Sequence, residues 1–270
     1  MDTATAADEL LYEVKDGIGT ITFNRPQARN ALTFAMYERL AGICEEVGRS
    51  VAANKPDAVK VLVLTGAGEK AFAAGTDISQ FRAFKTQQDA LDYEARGNRV
   101  MAMLEACPVP TIAAIAGACT GGGAGIAACC DIRIATADAR YGFPIARTLG
   151  NCLSMANYGR LYALLGPAKV KDIIFTARLI EAEEARSIGL FSEILPDAAA
   201  LHARAAELAR TIAGHAPLTL RATKEAVRRI SQKMRLEEEK DLILMCYMSG
   251  DFREGMEAFL NKRPPVWRGE

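Results

Sequence analysis

Apolar and polar positions change rhythm several times along the chain, and each change marks an element. Residues 11–14 and 19–23 are short apolar or alternating runs around Asp16-Gly17, a dipeptide suited to a hairpin turn. Pro26 closes the second run. From 32 to 51, apolar residues recur at helical spacing (Leu32, Met36, Leu40, Ile43, Val47, Val51), and Thr33 is placed to cap that helix. Residues 59–64 form a short run rich in branched apolar residues, bounded by Gly66, and predict a buried strand. A helix is expected over 90–104, stopped before Pro108 and Pro110. A second buried strand (111–116), a helix of small residues (121–130) and a strand (131–135) follow. Beyond about Gly166 the pattern predicts helices over 168–176, 181–188, 198–212, 218–230, 236–248 and 252–260. This order predicts an α/β fold with crossover connections, divided into an α/β core (1–200) and a helical C-terminal region (201–270).

Composition narrows the function classes. Half of the 270 residues are hydrophobic, an ordinary globular proportion that allows a sizeable core. Lys plus Arg and Asp plus Glu balance at 33 each, so no bulk field draws the chain to nucleic acid or to an anionic membrane. The N-terminal residues hold no basic stretch followed by an apolar run, and the most apolar segment (111–126) is short and broken by glycines. A cytoplasmic location is expected. Seven cysteines, an odd number without Cys-x-x-Cys spacing, predict reduced thiols and argue against a zinc site.

The chemistry gathers at two glycine-bearing turns. One is Ala74-Gly75-Thr76-Asp77 after the run Ala71-Phe72-Ala73; the other is Gly121-Gly122-Gly123 at a predicted helix start. The first N–H groups of a helix lack internal partners, and the helix dipole adds partial positive charge. Glycine lets a ligand come close to the backbone, so such a turn aims donors at an anion. Two backbone N–H groups on one oxygen would form an oxyanion hole. Tight packing of a small-residue helix on a sheet explains the same glycines equally well. A phosphate-cradling loop is excluded because no Gly-Lys-Ser/Thr follows, and the glycine spacing does not fit a dinucleotide fingerprint. No glutamate occurs between Ala106 and Ile180.

Taken together, several segments resemble the crotonase (enoyl-CoA hydratase/isomerase) superfamily. They are Ile21-Thr22-Phe23-Asn24-Arg25-Pro26 with Asn30-Ala31-Leu32, the run from Ala71 to Ile78, the stretch from Pro110 to Asp131, and DFREGMEAFLNKR from Asp251 to Arg263. The resemblance implies a spiral of ββα units with a helical C-terminal trimerisation region, assembled as a homotrimer or homohexamer. It implies an acyl-CoA substrate, with coenzyme A as part of the thioester and no permanently bound cofactor. The oxyanion donors would fall at Thr76 and Gly122, and coenzyme A contacts at Gln27, Ala28, Arg29, Ala74, Gly75, Asp77 and Ile78.

The chain departs from that pattern where the proton chemistry belongs. The two positions at which the family's hydratases carry glutamate hold Gly125 and Ile145. Neither side chain can move a proton, so ordinary two-glutamate hydration is put in doubt. The helix over the acyl pocket offers Tyr93, Glu94 and Arg96 as replacements, and the segment after the Tyr141-Gly142-Phe143-Pro144 turn offers Arg147, Asn151, Cys152, Ser154 and Tyr158; the candidates kept are Glu94, Arg147, Asn151 and Ser154. Each has a structural explanation too. Glu94 with Arg96 fits a solvated helix face, Asn151 and Ser154 fit helix caps, and Asp77 fits a loop-fixing role. The expected function is an acyl-CoA enzyme with atypical chemistry. The alternative is a catalytically silent acyl-CoA binder or non-catalytic subunit. Balanced charge argues against an RNA-binding role on the same fold.

Overall fold

Asp16 and Gly17 both take left-handed backbone (φ 53° and 75°), so the chain reverses in two residues. That turn pairs β1 (Leu10–Lys15) with β2 (Ile18–Phe23) in antiparallel register, Leu10 opposite Phe23 and Lys15 opposite Ile18. It is the reversal whose twist matches the flanking strands. The computed structural model describes residues 6–233 and 240–270, beginning with a single turn, α1 (Ala6–Glu9). Thr33 then caps α2 (Phe34–Ala52), its hydroxyl accepting from the Met36 amide at 3.2 Å.

From there each unit gives one strand to each of two sheets before a helix returns the chain. The units are β3 (Val61–Gly66) and β4 (Ala71–Ala73) with α3 (Gln87–Ala106), then β5 (Thr111–Ile115) and β6 (Ala118–Thr120) with α4 (Gly122–Cys129), then β7 (Ile132–Thr136) and β8 (Arg140–Gly142) with α5 (Ile145–Thr148). After α6 (Met155–Phe175) come β9 (Ile180–Glu181), α7 (Ala182–Ser187) and β10 (Glu193–Leu195). The larger sheet runs β1-β2-β3-β5-β7-β10, and the smaller β4-β6-β8-β9. Both are parallel except at one edge: β1 pairs antiparallel with β2, and β9 with β8. This alternation is the spiral of ββα units.

The central strands β3, β5 and β7 of the large sheet are buried almost throughout, which is why they read as continuous apolar runs. Val61, Val63, Ile112, Ala114 and Ile134 lie under α8 (Ala198–Ala213), which buries Leu201, Ala205, Ala209 and Ile212 at helical spacing. The division drawn after residue 200 thus falls inside a helix that belongs to the sheet core. Three helices follow: α9 (Pro217–Gln232), α10 (Lys240–Tyr247) and α11 (Gly250–Leu260). The helix expected over 236–248 is present from Lys240; residues 236–239 lie outside the described residues. Among the side chains of α9 none is buried, and Leu218, Val227 and Ile230 are 76, 62 and 68% exposed.

Two expectations need correction. The helix expected from 168 begins at Met155 and is kinked at Gly166 (φ 72°, ψ 162°), immediately before Pro167. The kink lets two differently directed segments share one run. The three-residue strands β4, β6 and β8 are not legible as strands, because three residues cannot display a period. They matter most, since the candidate site is built on their ends.

Candidate active site

Because β4 and β6 are parallel neighbours, with Ala71 opposite Ala118 and Ala73 opposite Cys119, their C-terminal ends lie side by side. The turns 74–76 and 121–122 leave from those ends. Gly75 and Gly121 take φ of 105° and 52°, conformations that a Cβ would strain. A Cβ on Gly75 would lie 3.6 Å from the Thr120 carbonyl oxygen and 4.0 Å from the Gly122 nitrogen, so the two turns are in contact. The surrounding amides are engaged: Leu32 N donates to Gly75 O and Asp77 N to Leu32 O, both at 2.8 Å. Gly121 N donates to Gly142 O at 3.0 Å and Gly125 N to Gly121 O at 2.9 Å. None of these bonds uses the Thr76 or Gly122 amide, and both residues line a cavity of about 550 Å³.

The glycine triplet divides its roles. A Cβ on Gly123 would sit 2.2 Å from Ala73 O, so this glycine serves the packing of α4 on β4. A Cβ on Gly122 would sit 2.0 Å from the Tyr37 hydroxyl. That hydroxyl belongs to a cluster of which sequence reasoning missed Tyr37: Thr76 Oγ1 lies 3.0 Å from Tyr37 OH and 3.0 Å from Tyr93 OH. Burial pushes the Tyr37 phenol up to about 12 and raises Tyr93 well above its ordinary range, so both phenols stay protonated. Tyr37 shares the buried face of α2 with Leu40 and Cys44, and in sequence it reads as core.

The loop 25–32 is laced to the first turn. Ala74 N donates to Arg29 O at 3.0 Å, and Asn30, fully buried, donates to Ala67 O and Ala71 O at 3.0 and 2.7 Å. Ala28, Arg29, Ala74, Gly75, Asp77 and Ile78 all line the cavity. Gln27 does not; it is exposed on the outer turn of the same loop. Asp77 caps the short 3-10 helix Ile78–Ala83, accepting from Ser79 Oγ at 2.6 Å and from Arg25 Nη1 at 3.1 Å. Its loop-fixing role is visible in those bonds.

One face of α3 forms the opposite wall, through Glu94, Gly97 and Met101 at spacings of three and four. The solvated-face explanation of Glu94 is overturned. Glu94 is 7% exposed and accepts a hydrogen bond from Tyr247 OH of α10 at 2.5 Å, whereas Arg96 and Arg99 pair with Glu38. Asn151 is not a helix cap; its Nδ2 donates to Tyr247 OH at 3.2 Å, and it lines the cavity. Ser154 does cap α6, accepting from Asn157 N at 3.2 Å, and donates to Asn98 Oδ1 at 2.6 Å. It lies outside the cavity lining, as does Arg147, which is exposed. Gly125 and Ile145 do face the cavity, and the room before Gly125 is taken by Met101, whose Cε would be 3.1 Å from a Cβ there. Tyr247 was missed because it reaches Glu94 across 153 residues of chain, a separation no local pattern reports.

Among the described residues no group of three or more His, Cys, Asp or Glu is arranged to hold a metal ion, and no helix is long and apolar enough to cross a membrane. The seven cysteines are unbridged.

Comparison with known proteins places this geometry in a class. The family model for enoyl-CoA hydratase/isomerase matches residues 13–270. The chain belongs to that family. It is 34% identical over 259 residues to the short-chain-enoyl-CoA hydratase of Clostridium acetobutylicum, covering 95% of this chain and 96% of that protein. It is also 34% identical over 261 residues to the crotonyl-CoA hydratase of Syntrophomonas wolfei, covering 96 and 97%. Among solved structures, a methylmalonyl-CoA decarboxylase in complex with 2-nitronate-propionyl-CoA aligns with a TM-score of 0.85 at 25% identity, covering 97% of this chain and 99% of that one. An enoyl-CoA hydratase/carnithine racemase from Magnetospirillum magneticum aligns with a TM-score of 0.76 at 31% identity, covering 97 and 96%.

Proposed function

We propose that this chain is an acyl-CoA thioester enzyme that holds the thioester carbonyl on the Thr76 and Gly122 amides and stabilises an enolate. The observation that carries the reading is the contact between the Gly75 and Gly121 turns, which sets the Thr76 and Gly122 amides, used by none of the loop bonds described above, beside one cavity. A preorganised donor of this kind contributes about 3 kcal/mol when charge develops on the oxygen. Coenzyme A enters as part of the substrate, along Ala28, Arg29, Ala74, Gly75, Asp77 and Ile78, with Gln27 at the outer edge. The decarboxylase neighbour binds a nitronate, a planar delocalised anion chemically akin to an enolate.

Proton transfer is assigned to Glu94. Of the carboxylates lining the cavity, Asp77 is committed to Ser79 and Arg25, while Gly125 and Ile145 offer no titratable group. Hydration by a pair of glutamates at the usual positions is therefore unavailable. Isomerisation, decarboxylation, thioester hydrolysis and hydration by another base all draw on the same stabilised oxyanion.

Turnover of an acyl-CoA panel followed by mass spectrometry tests the reading. Gain of one water identifies hydration, unchanged mass with altered absorbance isomerisation, loss of carbon dioxide decarboxylation, and release of free coenzyme A hydrolysis. Tight binding without any product would establish the non-catalytic binder instead. Absence of acyl-CoA binding would end the proposal.

The exposed apolar residues of α9 support assembly into a homotrimer or homohexamer through the C-terminal helices, which sedimentation equilibrium would measure. Unbridged cysteines fit a reducing, cytoplasmic setting.

A further inference from the structure

Three side chains from distant segments form a hydrogen-bonded chain along the cavity wall. Asn151 Nδ2 donates to the Cys152 carbonyl at 3.3 Å and to Tyr247 OH at 3.2 Å. A backbone carbonyl only accepts, so the amide has one orientation, with its nitrogen toward Cys152 and its oxygen turned away. Tyr247 in turn donates to Glu94 Oε1 at 2.5 Å. Burial, then the charge of Glu94, raises the Tyr247 phenol well above its ordinary range, so the proton stays on the phenol. The chain therefore has a direction, from Asn151 through Tyr247 to the carboxylate.

The far end is unfinished. Asn151 Oδ1 is buried and has no hydrogen-bond partner among the described residues. Buried amide oxygens are nearly always satisfied, and an unsatisfied one beside a cavity points to a donor supplied by a ligand. Asn151 and Glu94 both line the cavity assigned to the acyl group.

We propose that Asn151, Tyr247 and Glu94 act as a directional relay: Tyr247 is a positioning residue supplied by α10 that holds the Glu94 carboxylate in place, and Asn151 Oδ1 accepts from a hydroxyl carried by the acyl chain. This rests on the acyl-CoA reading of the cavity. It makes the site dependent on α10, which lies 153 residues from Glu94 at the point of contact. Asn151 Oδ1 is an acceptor that cannot donate, so it favours an acyl chain with an O–H over the plain alkyl chain of equal length.

Calorimetric titration of the full-length protein with butyryl-CoA, both enantiomers of 3-hydroxybutyryl-CoA, and 4-hydroxybutyryl-CoA tests this. Wild type is expected to bind one hydroxylated ligand about tenfold more tightly than butyryl-CoA, the worth of one well-made hydrogen bond. Asn151→Leu is expected to erase that preference, and a thermal melt by circular dichroism like that of wild type reports that the variant is folded. For any acyl-CoA that is turned over, Tyr247→Phe is expected to move the acid limb of the kcat profile to higher pH with KM unchanged, because the carboxylate loses the donor that favours its charged form. Equal binding of all four ligands by wild type overturns the relay and leaves the acyl-CoA reading standing. A preference retained in Asn151→Leu overturns it as well. Failure of every ligand to bind overturns both.

Discussion

Met101 stands where a side chain on Gly125 would go: a Cβ on that glycine would lie 3.1 Å from the Met101 Cε. Gly125 lies within α4, where alanine is the better helix former, and a thioether end can shift by a few tenths of an ångström. Gly125→Ala is therefore expected to change unfolding free energy by less than about 1 kcal/mol. Gly125→Glu is expected to destabilise by about 1–3 kcal/mol through overpacking. Met101→Ala opens the same space, so the double variant is expected to recover a substantial part of that loss. A double-mutant cycle in urea would measure the coupling; strict additivity would show that the two residues do not compete for space.

The Gly122 backbone is expected to matter through its N–H, but a simple substitution there confounds two effects. Any Cβ at this position meets the Tyr37 hydroxyl at 2.0 Å. The clean comparison therefore carries Tyr37→Phe, which removes the clashing oxygen. In that background Gly122→Ala keeps the amide and Gly122→Pro deletes it; proline is tolerated in the first turn of a helix. Loss of one oxyanion donor is expected to lower kcat by about 10²–10³-fold between those two double variants. Equal rates would remove Gly122 from the chemistry.

Asn30 fastens the loop 25–32 to the strand and turn that carry Gly75. Its side chain donates to Ala67 O and Ala71 O and accepts from Arg25 N at 3.0 Å, and its φ is 55°. Asn30→Ala leaves those groups without partners and retains the strained backbone. A loss of about 3 kcal/mol is expected from urea unfolding. Asn30→Gly relieves only the backbone part and should recover about 1 kcal/mol of it.

These variants show which parts of the site were legible in the sequence. The turns themselves were, because glycine runs at strand ends mark sharply bent backbone, and Gly75 and Gly121 do take positive φ; what the turns bind was not, since packing explains the same glycines. That Gly125 and Ile145 carry no carboxylate is plain in the sequence; that both line the cavity is seen only in the fold. The hydroxyl cluster was not: Tyr37 follows the same helical spacing as its apolar neighbours, and only the fold shows its oxygen at Thr76. Glu94 was legible as a candidate but not as buried. Its helix turns Arg96 and Arg99 toward Glu38, so charge density along α3 suggested solvent on every side. Tyr247 left no trace at all, because the contact depends on how α10 docks on α3. Local pattern reports faces of elements; it does not report which faces meet.

The Arg25–Asp77–Ser79 clamp beside the turn 74–76 gives an acid sensitivity with a definite sign. Burial would raise the Asp77 carboxyl, but the hydrogen bonds from Ser79 and Arg25 outweigh it and hold the group below its ordinary value of 3.8. A carboxyl depressed in the folded state stabilises the fold at pH above its unfolded value, and the stabilisation disappears as pH falls through the folded value. The difference in Tm between wild type and Asp77→Asn is therefore expected to be constant near neutrality and to shrink as pH falls below about 4. Glu184, drawn down to about 2 chiefly by its hydrogen bonds from Arg178, titrates in both proteins and cancels in the difference. Calorimetric Tm values from neutral pH down to strongly acid solution would decide it. A gap that keeps its neutral-pH size throughout would mean that the charged form of Asp77 adds nothing to the clamp, and that shape alone holds the turn.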